Sequence, residues 1–254
     1  MWFTILGSGT HFPDPQKRSA GYLLRDGKNL IQLDFGYGTL LRLVGMKVRY
    51  QDIRHIFLTH MHEDHYLDLL PFLNTLVIQV AQWGLAPCTL YLYGPKGFRK
   101  KLQNIRAAIG VKTTEPFVRI VFRELTRARV IMGKVTVRSH PVHHVATINA
   151  LCYRIDKGRQ SIAYTGDLDY DESIIPFLKG VHTLVIECGF PNHMKQAGHL
   201  TPREAGMIAH QAGVKRVVLT HRFPPCEKVN IVNQCRKEFG GRILLARDLL
   251  ALTV

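Results

Sequence analysis

Short apolar runs rich in Val, Ile, Leu, Phe and Tyr recur along the chain, and longer stretches of helical periodicity lie between many of them. The pattern predicts strands over residues 2–6, 21–25, 29–34, 55–59, 89–93, 118–122, 134–139, 150–155, 160–164, 183–187, 216–220 and 242–245. It predicts helices over 37–45, 66–84, 95–109, 171–179, 202–212 and 228–239. The sharpest helix start is Thr201-Pro202-Arg203-Glu204, with an N-cap Thr and Pro in the first turn. Strands interspersed with helices give an α/β class, and periodicity alone does not fix the topology. The longest apolar stretch, Leu67 to Leu85, is broken by Asp68, Pro71, Asn74, Gln79 and Gln82. It reads as a buried helix, not a membrane span. Met1 to Leu6 reads as a first strand running into a Gly turn, too short for a signal peptide and without a basic leader.

The strand ends carry the chemistry. Leu58-Thr59-His60-Met61-His62-Glu63-Asp64-His65 packs three imidazoles and a carboxylate behind an apolar strand. A tight turn there throws His60 and His62 one way and Asp64 and His65 another, which suits two metal ions sharing a pocket better than one closed tetrahedral site. Similar residues follow later apolar runs. Val135-Thr136-Val137 leads to His140, His143 and His144, Ser161 to Gly166 delivers Asp167, and Val217-Val218-Leu219-Thr220 delivers His221. A sheet fixes the direction of such side chains and its loops leave them reachable. Asp34, after Leu30-Ile31-Gln32-Leu33, is placed to orient a ligand from behind. Because these residues run from the first quarter of the chain to the last, residues 1–254 are expected to form one domain, and a hydrophobic content of 46% suffices for its core.

The order Asp34, His60-x-His62-x-Asp64-His65, His144, Asp167, His221 resembles the metallo-β-lactamase superfamily. The likeness runs from Gly7-Ser8-Gly9-Thr10 to Ala246-Arg247-Asp248-Leu249. The segments Gly198-His199-Leu200-Thr201-Pro202-Arg203-Glu204-Ala205-Gly206 and Ala212 to His221 bring it closest to the ribonuclease Z-like, phosphodiesterase branch. The resemblance implies a four-layer αββα sandwich, two facing mixed sheets with helices outside and a metal site at one edge. It also implies a dinuclear centre, usually of zinc and sometimes of manganese or iron. One ion would take His60, His62 and His144, the other Asp64, His65 and His221, with Asp167 bridging. The Pro141-Val142-x-His pattern favours His144 over His143, which reads as a neighbour. His140 reads as an exposed or hydrogen-bonded strand residue, and His11, His55, His182, His193 and His210 as structural or solvent-facing.

Two divalent ions sharing a water lower its pKa enough to leave hydroxide near neutral pH. The resemblance therefore implies a hydrolase in which hydroxide attacks phosphorus or a carbonyl carbon and Asp64 orients or deprotonates the water. His199 would protonate the leaving oxygen, with Glu187 keeping it charged. A phosphodiesterase acting on a nucleotide, cyclic nucleotide or RNA end is the leading expectation. A hydrolase of sulfate esters, lactones or thioesters is the alternative, and a non-catalytic nucleic-acid-binding module is a third. Three departures argue against dedicated tRNA maturation. The tRNA-clamping arm would have to fit in Asp156-Lys157-Gly158-Arg159-Gln160, a tight turn. Pro15-Gln16-Lys17-Arg18-Ser19 matches a Pro-x-Lys-x-Arg-Asn loop incompletely, and Ile186-Glu187-Cys188-Gly189 keeps only the Glu of a His-Glu-Ala-Thr segment.

Charge adds a partner class. Lys and Arg total 34 against 19 Asp and Glu, a net +15. The basic residues cluster at Lys96, Arg99, Lys100, Lys101 and Arg106, and at Arg119, Arg123, Arg127, Arg129, Lys134 and Arg138. Such a surface attracts anionic small molecules or nucleic acid, or simply keeps the protein soluble. No aromatic run interleaves these clusters. Cys88, Cys152, Cys188, Cys226 and Cys235 are odd in number and lack Cys-x-x-Cys spacing, so packing thiols in a reducing cytoplasm are expected. The branch resemblance is also compatible with a homodimer.

Overall fold

The apolar runs become the strands of two seven-stranded sheets. A computed structural model describes residues 1–111 and 117–254. The first sheet contains β1 (Trp2–Gly7), β2 (Gly21–Asp26), β3 (Asn29–Phe35), β4 (Ile53–Phe57), β5 (Cys88–Pro95) and β6 (Val118–Leu125), side by side in chain order. The second contains β7 (Ala128–Met132), β8 (Val135–Val142), β9 (Ala150–Lys157), β10 (Gln160–Tyr164), β11 (Thr183–Glu187), β12 (Arg216–Thr220) and β13 (Arg242–Leu245), also in order. Strand β14 (Ala251–Thr253) returns to pair with β1. Both sheets are mixed in the same way. Pairing is antiparallel through β14-β1-β2-β3 and parallel through β3-β4-β5-β6. It is likewise antiparallel through β7-β8-β9-β10 and parallel through β10-β11-β12-β13.

Helices cover the outer faces. Leu43 of α1 (Thr39–Gly45), Phe72, Leu73 and Leu76 of α3 (Leu69–Gln82), and Phe98 and Leu102 of α4 (Phe98–Ala108) pack on the first sheet, while α2 (Glu63–Tyr66) follows the His-rich turn. Leu178 of α5 (Ile175–Leu178), Ala205, Ile208 and Ala209 of α6 (Pro202–Gln211), and Ile231 and Cys235 of α7 (Ile231–Arg236) pack on the second. Between the sheets lie Phe3, Tyr22, Phe57, Tyr153, Tyr164, Val185 and Val218. The expected four-layer αββα sandwich is therefore present. Buried tyrosines must pair their hydroxyls: Tyr153 donates to the Leu58 carbonyl at 2.6 Å, Tyr164 to Asp34 Oδ2 at 2.7 Å, and Tyr22 lies 2.8 Å from Thr220 Oγ1.

Several boundaries differ from expectation, each for a local reason. Strands β7 and β14 were not predicted: β7 is an edge strand exposing Arg129 and Ile131, and β14 has three residues, so neither makes a continuous apolar run. The helix expected over 66–84 breaks at Asp68, whose N–H donates to the Phe35 carbonyl and whose Oδ2 accepts the Leu40 N–H. The helix expected over 171–179 shrinks to a 3₁₀ turn and the single turn α5, and that over 228–239 to α7, which starts where the Asn230 side chain accepts the Asn233 N–H. The expected N-cap is found, as Thr201 and Glu204 form a complete capping box.

Strands β9 and β10 are joined by two residues, with Gly158 in the left-handed region and Lys157 opposite Gln160, which leaves no room for an arm. All five cysteines are buried and free. Arg106, grouped above with the surface cations, is buried, so that basic patch is smaller than the sequence suggests. Among the described residues no helix is long and apolar enough to cross a membrane.

Phe57 is fully buried, stacks on Tyr93 with centroids 4.1 Å apart, and meets Tyr153 edge-on at 5.3 Å. Phe57→Ala is expected to destabilise the protein by about 3–5 kcal/mol. Ile131→Ala, at a 62% exposed position, should stay within about 0.5 kcal/mol. Urea unfolding of both variants checks this.

Candidate metal centre

The parallel strands of both sheets end at one edge of the sandwich, and the predicted residues stand there. Asp34 at the end of β3 is fully buried and adopts φ 51°, a left-handed conformation that Asp tolerates better than most residues. Its carboxylate accepts the Thr59 N–H at 2.7 Å, the Thr59 hydroxyl at 2.8 Å and the Tyr164 hydroxyl at 2.7 Å, and it lies 2.8 Å from His65 Nδ1. These bonds end β4 at Phe57, short of the expected residue 59. They also turn the following residues into the cavity. From the other sheet, Gly166 approaches Thr59 so closely that a Cβ on it would lie 2.6 Å from Thr59 Cβ, and this places Asp167 beside His60 and His65.

The backbone and Asp34 set the imidazole tautomers. His65 presents Nδ1 to Asp34, His60 presents Nδ1 to Thr59 Oγ1 at 3.1 Å, and His144 presents Nδ1 to the Gly198 carbonyl at 2.6 Å. Each thereby turns its Nε2 toward the cavity. Gly198 itself has φ 86°, and its added Cβ would stand 2.9 Å from the His144 carbonyl oxygen. His221, also left-handed at φ 51°, donates its N–H to the Ser8 carbonyl. Asp248 in turn accepts the Ser8 N–H and hydroxyl, the Arg18 N–H and an Arg42 guanidinium N–H, each within 3.0 Å.

Two groups of donors result, and a third set, Asp167, His199 and His221, overlaps them. His62 Nδ1 lies 3.1 Å from His60 Nε2 and 3.2 Å from His144 Nε2, with Asp167 Oδ2 3.8 Å from His60 Nε2. His221 Nε2 lies 3.1 Å from Asp64 Oδ2 and 3.2 Å from His65 Nε2. Asp167 stands between the groups, with Oδ1 3.4 Å from both His65 Nε2 and His221 Nδ1. In each group the potential ligand atoms lie within 4.8 Å of one another.

Burial, the largest influence, holds His60 well below the ordinary imidazole range, and His62 and His144 below it, so all three are neutral. His65 is the opposite case: burial disfavours its charge, yet Asp167, Asp64 and Asp34 together lift it well above that range. Burial likewise opposes charge on Asp64 and Asp167, but neighbouring imidazoles outweigh it, holding Asp64 at about 2 and Asp167 well below the usual carboxylate range. Asp167 Oδ1 and His221 Nδ1 are both buried without a hydrogen bond. Lone pairs converging at these distances, orphaned buried atoms and clustered carboxylates fit divalent cations held by nitrogen and oxygen.

Of the other predicted residues, His199 Nδ1 lies 3.1 and 3.2 Å from the two Glu187 oxygens and 4.0 Å from Asp167 Oδ2. Glu187 is fully buried and also accepts the Leu168 and Gly189 N–H groups. Burial opposes the His199 charge, but the Glu187 carboxylate and then Asp167 override it, so His199 is raised to about 9. His144 joins the first group, whereas His143 is exposed. His140 is half-buried against Phe177, and His193 and His210 are exposed. His11 is solvent-facing as expected, yet it stands on the wall of the cavity above the donors, a space of about 260 Å³ shared with Glu63, His199 and Phe223.

Sequence reasoning missed two supports. Lys195 donates to Asp169, Glu204 and the His199 carbonyl, and Asp169 accepts the Gly198 N–H, so together they brace the loop carrying His199. Asp248 braces His221. Only the Thr201-x-x-Glu204 capping spacing hinted at the first.

The arrangement defines a class. Residues 37–222 match the beta-lactamase superfamily domain, and the chain belongs to that superfamily. The probable metallo-hydrolase YhfI of Bacillus subtilis is 28% identical, with 98% of each chain covered. The crystal structure of YhfI matches with a TM-score of 0.87 at 25% identity, over 99% of this chain and 98% of that one. Ribonuclease Z of Mycobacterium bovis is 28% identical over 97% of this chain and 95% of its own length. A diphosphatase from the PhnP family shares the fold at 19% identity, with a TM-score of 0.77 over 100% of this chain and 97% of that one.

Removing the Asp34 charge should loosen His65 and the turn before it. Asp34→Asn is expected to weaken zinc affinity about 10–100-fold, as loss of a ligand-orienting carboxylate does. Competition with a chromophoric chelator measures this, with circular dichroism confirming that the fold is retained.

Proposed function

We propose that this chain is a metal-dependent phosphodiesterase acting on a nucleotide, cyclic nucleotide or RNA end. The observation that carries the reading is the His199–Glu187 pair, an imidazole held by a buried carboxylate over the same cavity as the ligand-type residues and 4.0 Å from Asp167. A positive proton donor beside the donor cluster suits a leaving alkoxide and an anionic phosphodiester. The net charge of +15 favours anionic substrates too. Two relatives, a ribonuclease and a diphosphatase, agree with this class.

In this reading His60, His62 and His144 would hold one divalent ion and Asp64, His65 and His221 a second, with Asp167 placed between the two groups. The nitrogen-rich donor set favours zinc. Such ions supply Lewis acidity, lowering the pKa of water and offsetting charge that develops at phosphorus. The chain's own groups do the rest. Asp64, kept ionised, orients the attacking water, whose proton passes to solvent. His199 gives its proton to the leaving oxygen, and Glu187 holds the ring toward the cavity and keeps it charged. Asp34, Thr59 and Gly198 keep the imidazoles in the required tautomers.

Metal-loaded protein is expected to hydrolyse bis(p-nitrophenyl) phosphate. Asp167→Ala should abolish turnover, and His199→Ala should reduce kcat about 10²–10⁴-fold. No turnover with two ions demonstrably bound would move the assignment to sulfate or carboxylic esters.

The pH profile supplies a second check. Protonated His199 is the active form, so kcat should fall as pH rises through the His199 pKa, which Glu187 lifts above the ordinary imidazole range. Glu187→Gln removes the partner that raises His199 and leaves the opposing burial, so the alkaline limb should move to lower pH. A limb that stays in place would remove His199 from the role of acid.

A further inference from the structure

Three loops that share no sequence motif bring aromatic rings to the rim of the metal centre. His11 and Phe12 come from the β1–β2 connection, Phe190 follows β11, and Phe223 stands two residues beyond His221. Phe190 and Phe223 stack with centroids 4.5 Å apart and planes 17° from parallel, and Phe12 meets Phe223 edge-on at 5.7 Å. Backbone bonds hold the set: Phe223 N–H donates to the Gly189 carbonyl at 3.1 Å, and Phe12 N–H to Thr10 Oγ1 at 3.2 Å. The Tyr37 hydroxyl ties down the Thr10 and His11 carbonyls. Phe12 is nonetheless 50% exposed.

These rings enclose a second cavity of about 530 Å³, with Gln196 among its lining residues and Pro224-Pro225 on one wall. His11, His199 and Phe223 border both this cavity and the one above the metal-type donors, so the two spaces adjoin. Exposed apolar residues are common on this surface, but Phe12 joins Phe190 and Phe223 in one contiguous apolar wall beside the candidate centre. Flat ring faces and proline rings suit a planar heterocycle, for which aromatic stacking is the common mode of capture. An amide such as that of Gln196 can donate to and accept from the edge of a base. A base stacked on these rings must be free of its duplex partner.

We propose that this cavity is a nucleobase seat, stacking the base of a nucleotide whose phosphodiester lies in the adjoining metal cavity. It selects nucleotidyl esters with an unpaired base over base-free phosphate esters. The proposal rests on the phosphodiesterase reading for the position of the phosphate, while the seat itself is testable without turnover.

The binding test uses 2-aminopurine riboside 5′-monophosphate, whose fluorescence is quenched when its ring stacks. Metal-loaded wild-type protein should quench it saturably, Phe12→Ala should weaken the apparent affinity about ten-fold, and Phe12→Tyr should restore it. The kinetic test compares thymidylyl-thymidine with an analogue in which a tetrahydrofuran abasic unit replaces one nucleoside. The wild type should show a KM about ten-fold lower for the intact dinucleotide, and Phe12→Ala should close most of that gap. Equal KM values for the two substrates in the wild type, or quenching indifferent to Phe12, would overturn the seat. Phe12-dependent quenching in metal-loaded protein that turns over neither dinucleotide nor bis(p-nitrophenyl) phosphate supports the seat and overturns the phosphodiesterase reading instead.

Discussion

The buried carboxylate of Asp34 is the constraint on which the rest depends. It takes hydrogen bonds from Thr59 behind β4 in the first sheet and from Tyr164 at the end of β10 in the second, and it faces His65 between them. A buried carboxylate is costly unless its oxygens are satisfied, so the chain can reach this state only with the two sheets and the His-rich turn in register. The same bonds select the His65 tautomer and bring Thr59 against Gly166, which sets Asp167. Sandwich closure and site geometry are one event.

The two sheets follow one plan. Each has three antiparallel pairings followed by three parallel ones, and β3 and β10 occupy matching positions at the changeover. Asp34 closes β3, and Asp167 comes just after β10. The pair share a strand-end position, one holding His65 from behind and the other facing the cavity. The fully buried hydroxyls of Tyr22, Tyr153 and Tyr164 carry the core's polar contacts toward this edge. The interior is therefore least apolar where the chemistry is concentrated.

Much of the site was legible because its residues are chemically rare in the places they occupy. His60, His62, Asp64 and His65 crowd a single turn, and Asp167 and His221 each follow a run of strand-forming residues, so position and chemistry point the same way. The resemblance then separated His144 from His143, which periodicity could not do. The fold's layers were legible for a similar reason, since most strands are continuous apolar runs. What escaped was whatever depends on contacts between distant segments. Edge strand β7 alternates too weakly to announce itself, and the break at Asp68 is a bond to Phe35 and Leu40 with no local signature. Lys195 and Asp169 look like surface charges until the loop carrying His199 folds over them. Phe12, Phe190 and Phe223 look like scattered apolar residues until three loops meet.

The tie between Asp248 and Ser8 has a consequence for synthesis. Ser8 holds the backbone of His221, Asp248 holds Ser8, and β14 lies against β1, so the first and last segments of the chain meet at the reaction centre. Contacts of such sequence separation form late and cannot form while the distal partner is still untranslated. A nascent chain can already display His60, His62 and His65, yet it has no means of fixing His221. The candidate centre can therefore be completed only after residue 248 has been made, and a product cut short of it keeps the His-rich turn but lacks the brace for His221.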